Sequence, residues 1–320
     1  MKLRRASWTP DRPSPVVRRF LERGAFDPHI EAAARRVLDD VRREGERAVL
    51  RYARQFDGAT LTTRTLRVTE QERRAARAAV DPAFRAAARE THRRVFDFAE
   101  RSMRADWSAP TARGGLIGEQ FQPIDRVGVY IPGGTAPLVS TCLMTVPLAR
   151  AAGVAEVVAC TPAGRDGTLN PYLLYALDLA GADEVYKVGG MHAIGMLAYG
   201  TRSVRRVRKI VGPGGAYVTM AKKCVYGDVA LDLVAGPSEV AILADADADP
   251  RHIAADLLAQ AEHGTGAEKA LLVTPSAPLL DAVERELARQ LATLSRRALI
   301  RKVIARGVLL ARVRHLRDGM

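Results

Sequence analysis

The sequence predicts an α/β chain of two domains, with doubly wound, mainly parallel, Rossmann-like sheets and an α-helical N-terminal region. Three observations predict it. From residue 127 onward, short runs of strand length alternate with helical segments, the pattern of a parallel sheet covered by helices. Those runs are apolar almost throughout, as strands buried on both faces require. At 320 residues, with 48% hydrophobic and 27% charged, the chain is long enough for two domains and a large core.

The elements follow in order. Residues 29–56 set Ile30, Ala34, Val37, Leu38, Val41, Ala48, Val49 and Tyr52 near helical spacing and end at Phe56-Asp57-Gly58, where glycine is a usual stop. A second helical region runs over about 70–103. Asp81-Pro82 interrupts it and starts a new helix. Strands are expected at 127–131, 156–160, 184–188, 208–211, 240–244 and 270–274. Helices are expected at 138–152, 171–180, 193–199, 216–224, 250–263 and 277–306. A last strand begins near Gly307 and lacks a following helix to cover it before Met320. The expected domains are 1–126 (a helical region and the first part of domain 1), 127–238 (a central α/β domain) and 239–320 (the return to domain 1).

Composition excludes several classes. No run approaches the ~18–20 apolar residues of a membrane span, and the polar, proline-rich start is no signal peptide. Cys142, Cys160 and Cys224 are scattered in apolar segments, so neither a disulfide framework nor a thiolate cluster is expected, and a reducing cytoplasm is. The net charge of +13 sits at the two ends. There are 27 basic against 18 acidic residues over 1–126, 12 against 14 over 127–280 and 10 against 4 over 281–320. Only seven basic residues are lysine and aromatics make up 5%, so a base-stacking platform is absent and nucleic-acid binding is disfavoured.

Three glycine-rich loops follow predicted strands. Tyr130-Ile131-Pro132-Gly133-Gly134-Thr135-Ala136-Pro137 and Val211-Gly212-Pro213-Gly214-Gly215 lie where open α/β sheets bind ligands. They suit a phosphate or a plain tight turn equally. The second is not a dinucleotide fingerprint, since Tyr217 stands where the last glycine belongs. In Ala235-Gly236-Pro237-Ser238-Glu239 the serine is either a substrate donor or a turn residue. Asp256, Gln260 and His263 share one helix face, and spacing alone favours a solvated face. His192 follows Gly189-Gly190 at a helix start, where it either meets an anion or stands idle.

In order and spacing, Phe56-Asp57-Gly58, Tyr130-Ile131-Pro132-Gly133-Gly134, Val188-Gly189-Gly190, Gly212-Pro213-Gly214, Ala235-Gly236-Pro237-Ser238-Glu239 and Gln260-Ala261-Glu262-His263-Gly264 resemble the histidinol dehydrogenase family over roughly residues 29–310. The resemblance implies a zinc-dependent oxidoreductase that uses NAD to take L-histidinol through an aldehyde to L-histidine, and a homodimer. It implies that residues 127–238 form the NAD side, with Tyr130, His192 and Gly215 at the cofactor positions. It assigns Ser238, Gln260 and His263 to substrate, and Gln260 and His263 to zinc.

Two cofactor positions depart from the family pattern. His192 stands where the family usually has glutamine, and Gly215 where it has asparagine. Family members also continue beyond the equivalent of Met320. The resemblance places the catalytic Glu-His pair and the remaining zinc ligands there, so no catalytic residue is assigned here. The expectation is a carboxyl-terminally truncated member, poorly active or inactive by itself. Its rivals are one half of a split dehydrogenase, a non-catalytic ligand-binding scaffold and a basic nucleic-acid binder.

Overall fold

The computed structural model describes residues 3–24, 28–133, 138–264 and 267–320. The chain divides into two compact units, Met1–Asp27 with Ala235–Met320, and Pro28–Val234. Strand β1 (Arg4–Ser7) and helix α1 (Pro15–Leu21) open the first unit.

The second unit begins with α2 (Pro28–Glu44), α3 (Glu46–Tyr52), a π-helical turn at Ala53–Asp57, α4 (Glu70–Ala79) and α5 (Pro82–Arg101). The helix expected over 29–56 is thus broken at Gly45. A hairpin of β2 (Trp107–Pro110) and β3 (Leu116–Glu119) follows, with Trp107 opposite Glu119; the sequence reading had no element there. Then come β4 (Arg126–Tyr130), α6 (Val139–Ala151), β5 (Glu156–Cys160), α7 (Pro171–Ala180), β6 (Glu184–Tyr186), α8 (Gly190–Tyr199), β7 (Lys209–Val211), α9 (Ala216–Val225) and β8 (Ala230–Leu231). Local chemistry sets many starts. Thr69 and Glu72 form a capping box before α4, while Asp81 and Asn170 cap α5 and α7 ahead of a proline at the first turn; such caps satisfy amide donors that have no partner inside the helix.

The five strands of this unit are all parallel, in the order β6-β5-β4-β7-β8. Chain direction therefore reverses between β4 and β7, the switch point of a doubly wound sheet. Val127, Val129 and Ile131 of the β4 run join Leu143, Val146, Leu174 and Leu177 in one core. Helix α2 packs on α8 and α9, α4 on α7, and α5 on α6. Residues 28–126 consequently belong with the central sheet, which corrects the boundary expected after residue 126. Their apolar faces find cover on the helices of that sheet.

The first unit resumes with β9 (Glu239–Leu243), α10 (Pro250–Glu262), β10 (Lys269–Thr274), α11 (Ala277–Thr293), α12 (Arg297–Gly307), β11 (Val308–Arg312) and a 3-10 turn at Leu316–Gly319. The single helical region expected at 277–306 is two helices. Its sheet is also parallel, in the order β1-β11-β10-β9. Helices α10, α11 and α12 bury Leu257, Val283, Leu287 and Ile300 against Leu272, Val308 and Leu310. On the other face α1 sets Val17 and Phe20 against Leu309. The uncovered last strand is therefore corrected: β11 is interior, with Val308–Ala311 buried. The polar stretch Arg4–Ser7 pairs with it through backbone groups, which any side chains permit. The edge strands are β1 and β9, and on β9 Glu239, Ala241 and Leu243 are exposed.

Candidate functional site

The carboxyl ends of β4 and β7 lie side by side, and their loops meet closely. Gly212 has φ of 114°, and a Cβ there would stand 2.2 Å from the Tyr130 carbonyl oxygen, so only glycine fits. A charge pair holds its peptide. The Gly212 N–H donates to Asp232 Oδ2 at 2.8 Å, and Lys222 Nζ donates to the Gly212 carbonyl at 2.9 Å and pairs with Asp232. Lys222 is 3% exposed. A buried ammonium needs such partners, because the interior solvates charge poorly. Neither residue was singled out from the sequence. The signal was present: Lys222 sits with Val218, Ala221 and Val225 on the buried face of α9.

Tyr130 ends β4 and is 5% exposed. Its hydroxyl accepts from the Gly190 N–H at 3.1 Å, and burial pushes its pKa up to about 12. His192 lies in the first turn of α8 and is wholly buried. Tyr130 and His192 therefore meet the same Gly189-Gly190 turn. Gly215 precedes α9 in extended backbone, exposed, and nothing lies within 4 Å of a Cβ built there. Gly134–Pro137 of the first glycine loop lie outside the described residues.

Behind the double glycine is a set of buried polar atoms. Among the described residues Asp57 Oδ2, both His192 nitrogens and Thr161 Oγ1 lack hydrogen-bond partners. His192 Nε2 stands 3.6 Å from Asp57 Oδ2. Tyr52 and Phe56 stack at 5.3 Å between ring centroids, and each lies 6.1 Å from the His192 ring. These two rings, Arg36, Gly190 and Tyr217 line a pocket of about 750 Å³. Asp57 was legible as part of a helix stop and of an ordered motif, with no role of its own.

In the other unit the structure joins Ser238, Gln260 and His263. Gln260 is buried near the end of α10, and its Nε2 donates to the Ser238 carbonyl. His263 caps the same helix, with Nδ1 3.1 Å from the Gln260 carbonyl. Ser238 and His263 are exposed; Asp256, one turn earlier, is exposed and takes no part. Gln260 Oε1 and His263 Nε2 are the two donors this group offers a cation. A closed tetrahedral zinc site takes four, so this pair alone does not fit one. Among the described residues no group of three or more His, Cys, Asp or Glu is arranged for a metal ion. Nor is any described helix long and apolar enough to cross a membrane.

Comparison with known proteins identifies the relatives of the chain. A sequence profile described as histidinol dehydrogenase matches residues 22–320. The chain is 48% identical over 284 residues to histidinol dehydrogenase of Symbiobacterium thermophilum, which covers 88% of this chain and 64% of the relative. It is 45% identical over 290 residues to that of Moorella thermoacetica, covering 91% and 68%. The crystal structure of histidinol dehydrogenase from Elizabethkingia anophelis superposes with a TM-score of 0.86 at 31% identity, over 99% of this chain and 72% of that one. The chain thus spans about two thirds of the length of the curated relatives it matches.

Proposed function

The chain belongs to the histidinol dehydrogenase family, and on that premise we propose that it carries the NAD-binding and part of the substrate-binding apparatus of an NAD-dependent oxidation of L-histidinol. The hydrogen-bonded group of Ser238, Gln260 and His263 supports this most directly, because the assigned substrate-side residues converge although 22 residues separate Ser238 from Gln260.

The loops at the switch point suit a dinucleotide. Open α/β sheets bind ligands there, the glycines permit close backbone approach, and the orphaned polar atoms beside Gly190 call for partners. Tyr130, His192 and Gly215 are the residues that would hold it. The dinucleotide, when bound, accepts hydride from the alcohol carbon. Tyr130, protonated at any physiological pH, braces the turn through the Gly190 N–H. Gln260 fixes the Ser238 loop against α10. His263 engages the end of α10 through Nδ1 and presents Nε2. The pair Gln260 and His263 does not complete a zinc site, so no step is routed through metal here.

Titration of the purified chain with NAD tests the reading. Saturable binding is expected, and Gly215→Asn strengthens it about tenfold through one added amide hydrogen bond. Absence of saturable binding in both forms would sink the proposal. With histidinol, NAD and zinc, no NADH above background is expected from the 320-residue polypeptide, because none of its residues is assigned as general base and such a base is worth about 10²–10⁴ in rate. Turnover abolished by His263→Ala would instead place the proton-transfer group within these residues.

A further inference from the structure

We propose that the β2–β3 hairpin and an apolar groove beside α6 form an interface between two copies of this chain, the hairpin of each copy lying across α6 of the other. The hairpin is closely specified. Trp107 Nε1 donates to Glu119 at 2.7 Å, and the Phe121 N–H donates to Asp106 at 2.8 Å, tying the ends of the arm together. A Cβ on Gly118 would stand 2.2 Å from the Trp107 carbonyl oxygen, so glycine lets the strands close. Yet neither side of the ribbon is covered. Residues directly opposite each other share a side, so Trp107, Ala109 and Ile117 lie on one side and Pro110 and Leu116 on the other. Trp107 is 48%, Ile117 57% and Leu116 73% exposed. The two strands pack chiefly on each other, and no residue from 101 to 125 is buried. A lone two-stranded ribbon is marginal in water, and exposed apolar surface of this extent marks a contact site.

The groove lies at the root of this arm. Met103, Phe121, Ile124, Met144, Leu148 and Val211 line a space of about 720 Å³. Met144 and Leu148, on the outer face of α6, are 61% and 46% exposed. Topology leaves this space open. Val127 and Val129 of β4 share a core with Leu143 and Val146 of α6, whereas Gly128 between them faces Leu197 of α8. Successive strand residues point to opposite faces, so α6 and α8 cover opposite sides of the sheet. Helix α9 packs beside α8. The crossovers into β7 and β8 therefore run on the α8 side, and among the described residues no helix but α6 lines the groove.

A second copy is the occupant because one chain carries both halves, a projecting apolar arm and an unfilled apolar groove. Around a two-fold axis the two arms fill the two grooves, and neither is left over to recruit a third copy. Charge points the same way. Residues 103–125 hold two basic and three acidic residues in a chain of net charge +13. Two such chains repel each other, and they approach with least repulsion where the local charge is small. The extent also fits, since these 23 residues together with the outer face of α6 match the roughly 20–30 residues a side of a stable interface. The family resemblance implies a homodimer without naming its surface, and both halves of this contact lie within Pro28–Val234. No NAD-site residue takes part, so failure of this contact and failure of the function proposed above are separable.

Sedimentation equilibrium of the full 320-residue chain tests the proposal, and a dimer is expected. Ile117→Lys on the arm and Met144→Glu on α6 each place an unpaired charge in the contact, and each should raise the dimer dissociation constant about a hundredfold. Both positions are exposed in the single chain, so circular dichroism should show the fold unchanged. Mixing the two variants is the decisive step. In the mixed dimer the lysine arm meets the glutamate helix, and the other arm and helix keep their parental residues, so association should return to near the parental strength. Ile117→Ser and Met144→Ser, which add no charge, should weaken association about tenfold and carry the test if a charged variant misfolds. A monomeric parent chain overturns the proposal. So does a dimer indifferent to both substitutions, which would lie on another surface. Loss of association in both variants without recovery on mixing overturns the exchange of arms across α6.

Discussion

The two units hold their candidate groups in opposite ways. In Pro28–Val234 the polar groups are internal: Lys222, His192, Thr161 and Arg126 are all buried, and Lys222 with Asp232 grips the Gly212 loop by its backbone. In the other unit only Gln260 of the three candidate groups is buried, and Ser238 precedes an edge strand with alternate residues exposed. Folding thus sets the geometry of the first site from inside its own sheet. The second site stands on a surface and gains rigidity from one side-chain hydrogen bond. Breaking each unit separately tests whether the contrast is real.

The largest expected effect is on the pair that the buried Lys222 makes with Asp232. Asp232→Ala leaves the Lys222 ammonium buried with only the Gly212 carbonyl, a loss of about 4 kcal/mol. Hydrogen exchange should show lost protection in α9 and the Gly212 loop while β10 and β11 keep theirs. Leu272→Ala should do the reverse. Leu272 is fully buried in β10, and its truncation should cost about 3 kcal/mol, with protection lost in β10, β11 and α11. Protection lost equally across both units by either variant would show that the units do not fold separately.

Smaller effects sharpen the comparison. Leu243 on β9 is 42% exposed. Leu243→Lys should change stability by less than about 0.5 kcal/mol and reduce self-association seen by sedimentation, because a charge blunts an open sheet edge. Unchanged association would place the sticky surface elsewhere.

Acid should separate the units more gently. Partial burial opposes ionisation of Asp178, yet hydrogen bonds from Arg77 and Arg73 hold its carboxyl below the ordinary value. Hydrogen bonds from Arg205 and Arg126 do the same for Glu156. A carboxyl with a depressed folded pKa contributes stability that is present above its unfolded value, and that stability is lost as pH falls through the folded value. Asp178 ties α7 to α4, and Glu156 ties β5 to β4. The depressed carboxyls Asp249 and Glu286 of the other unit pair with arginines two and three residues away. Below about pH 4 the α4–α7 contact should lose exchange protection before the α10–α11 contact. Simultaneous loss would deny these cross-element pairs their role.

Much was legible from sequence because local physics is strong. Apolar runs bounded by glycine and proline marked the principal strands, and Asp81-Pro82 marked a helix start, since a side-chain cap and a fixed φ act over two or three residues. The ordered motifs identified the family and its assigned positions, Tyr130, His192, Gly215, Ser238, Gln260 and His263. Long-range choices were not legible. That residues 28–126 cover the central sheet, that Arg4–Ser7 pairs with β11, and that β9 is left at the edge depend on which apolar faces and backbone ladders find each other across the whole chain. The same holds for the polar interior. Asp57 reads as a helix stop and Lys222 as one more basic residue until folding sets Asp57 beside His192 and Lys222 beside Gly212, where lost solvation makes each partner count.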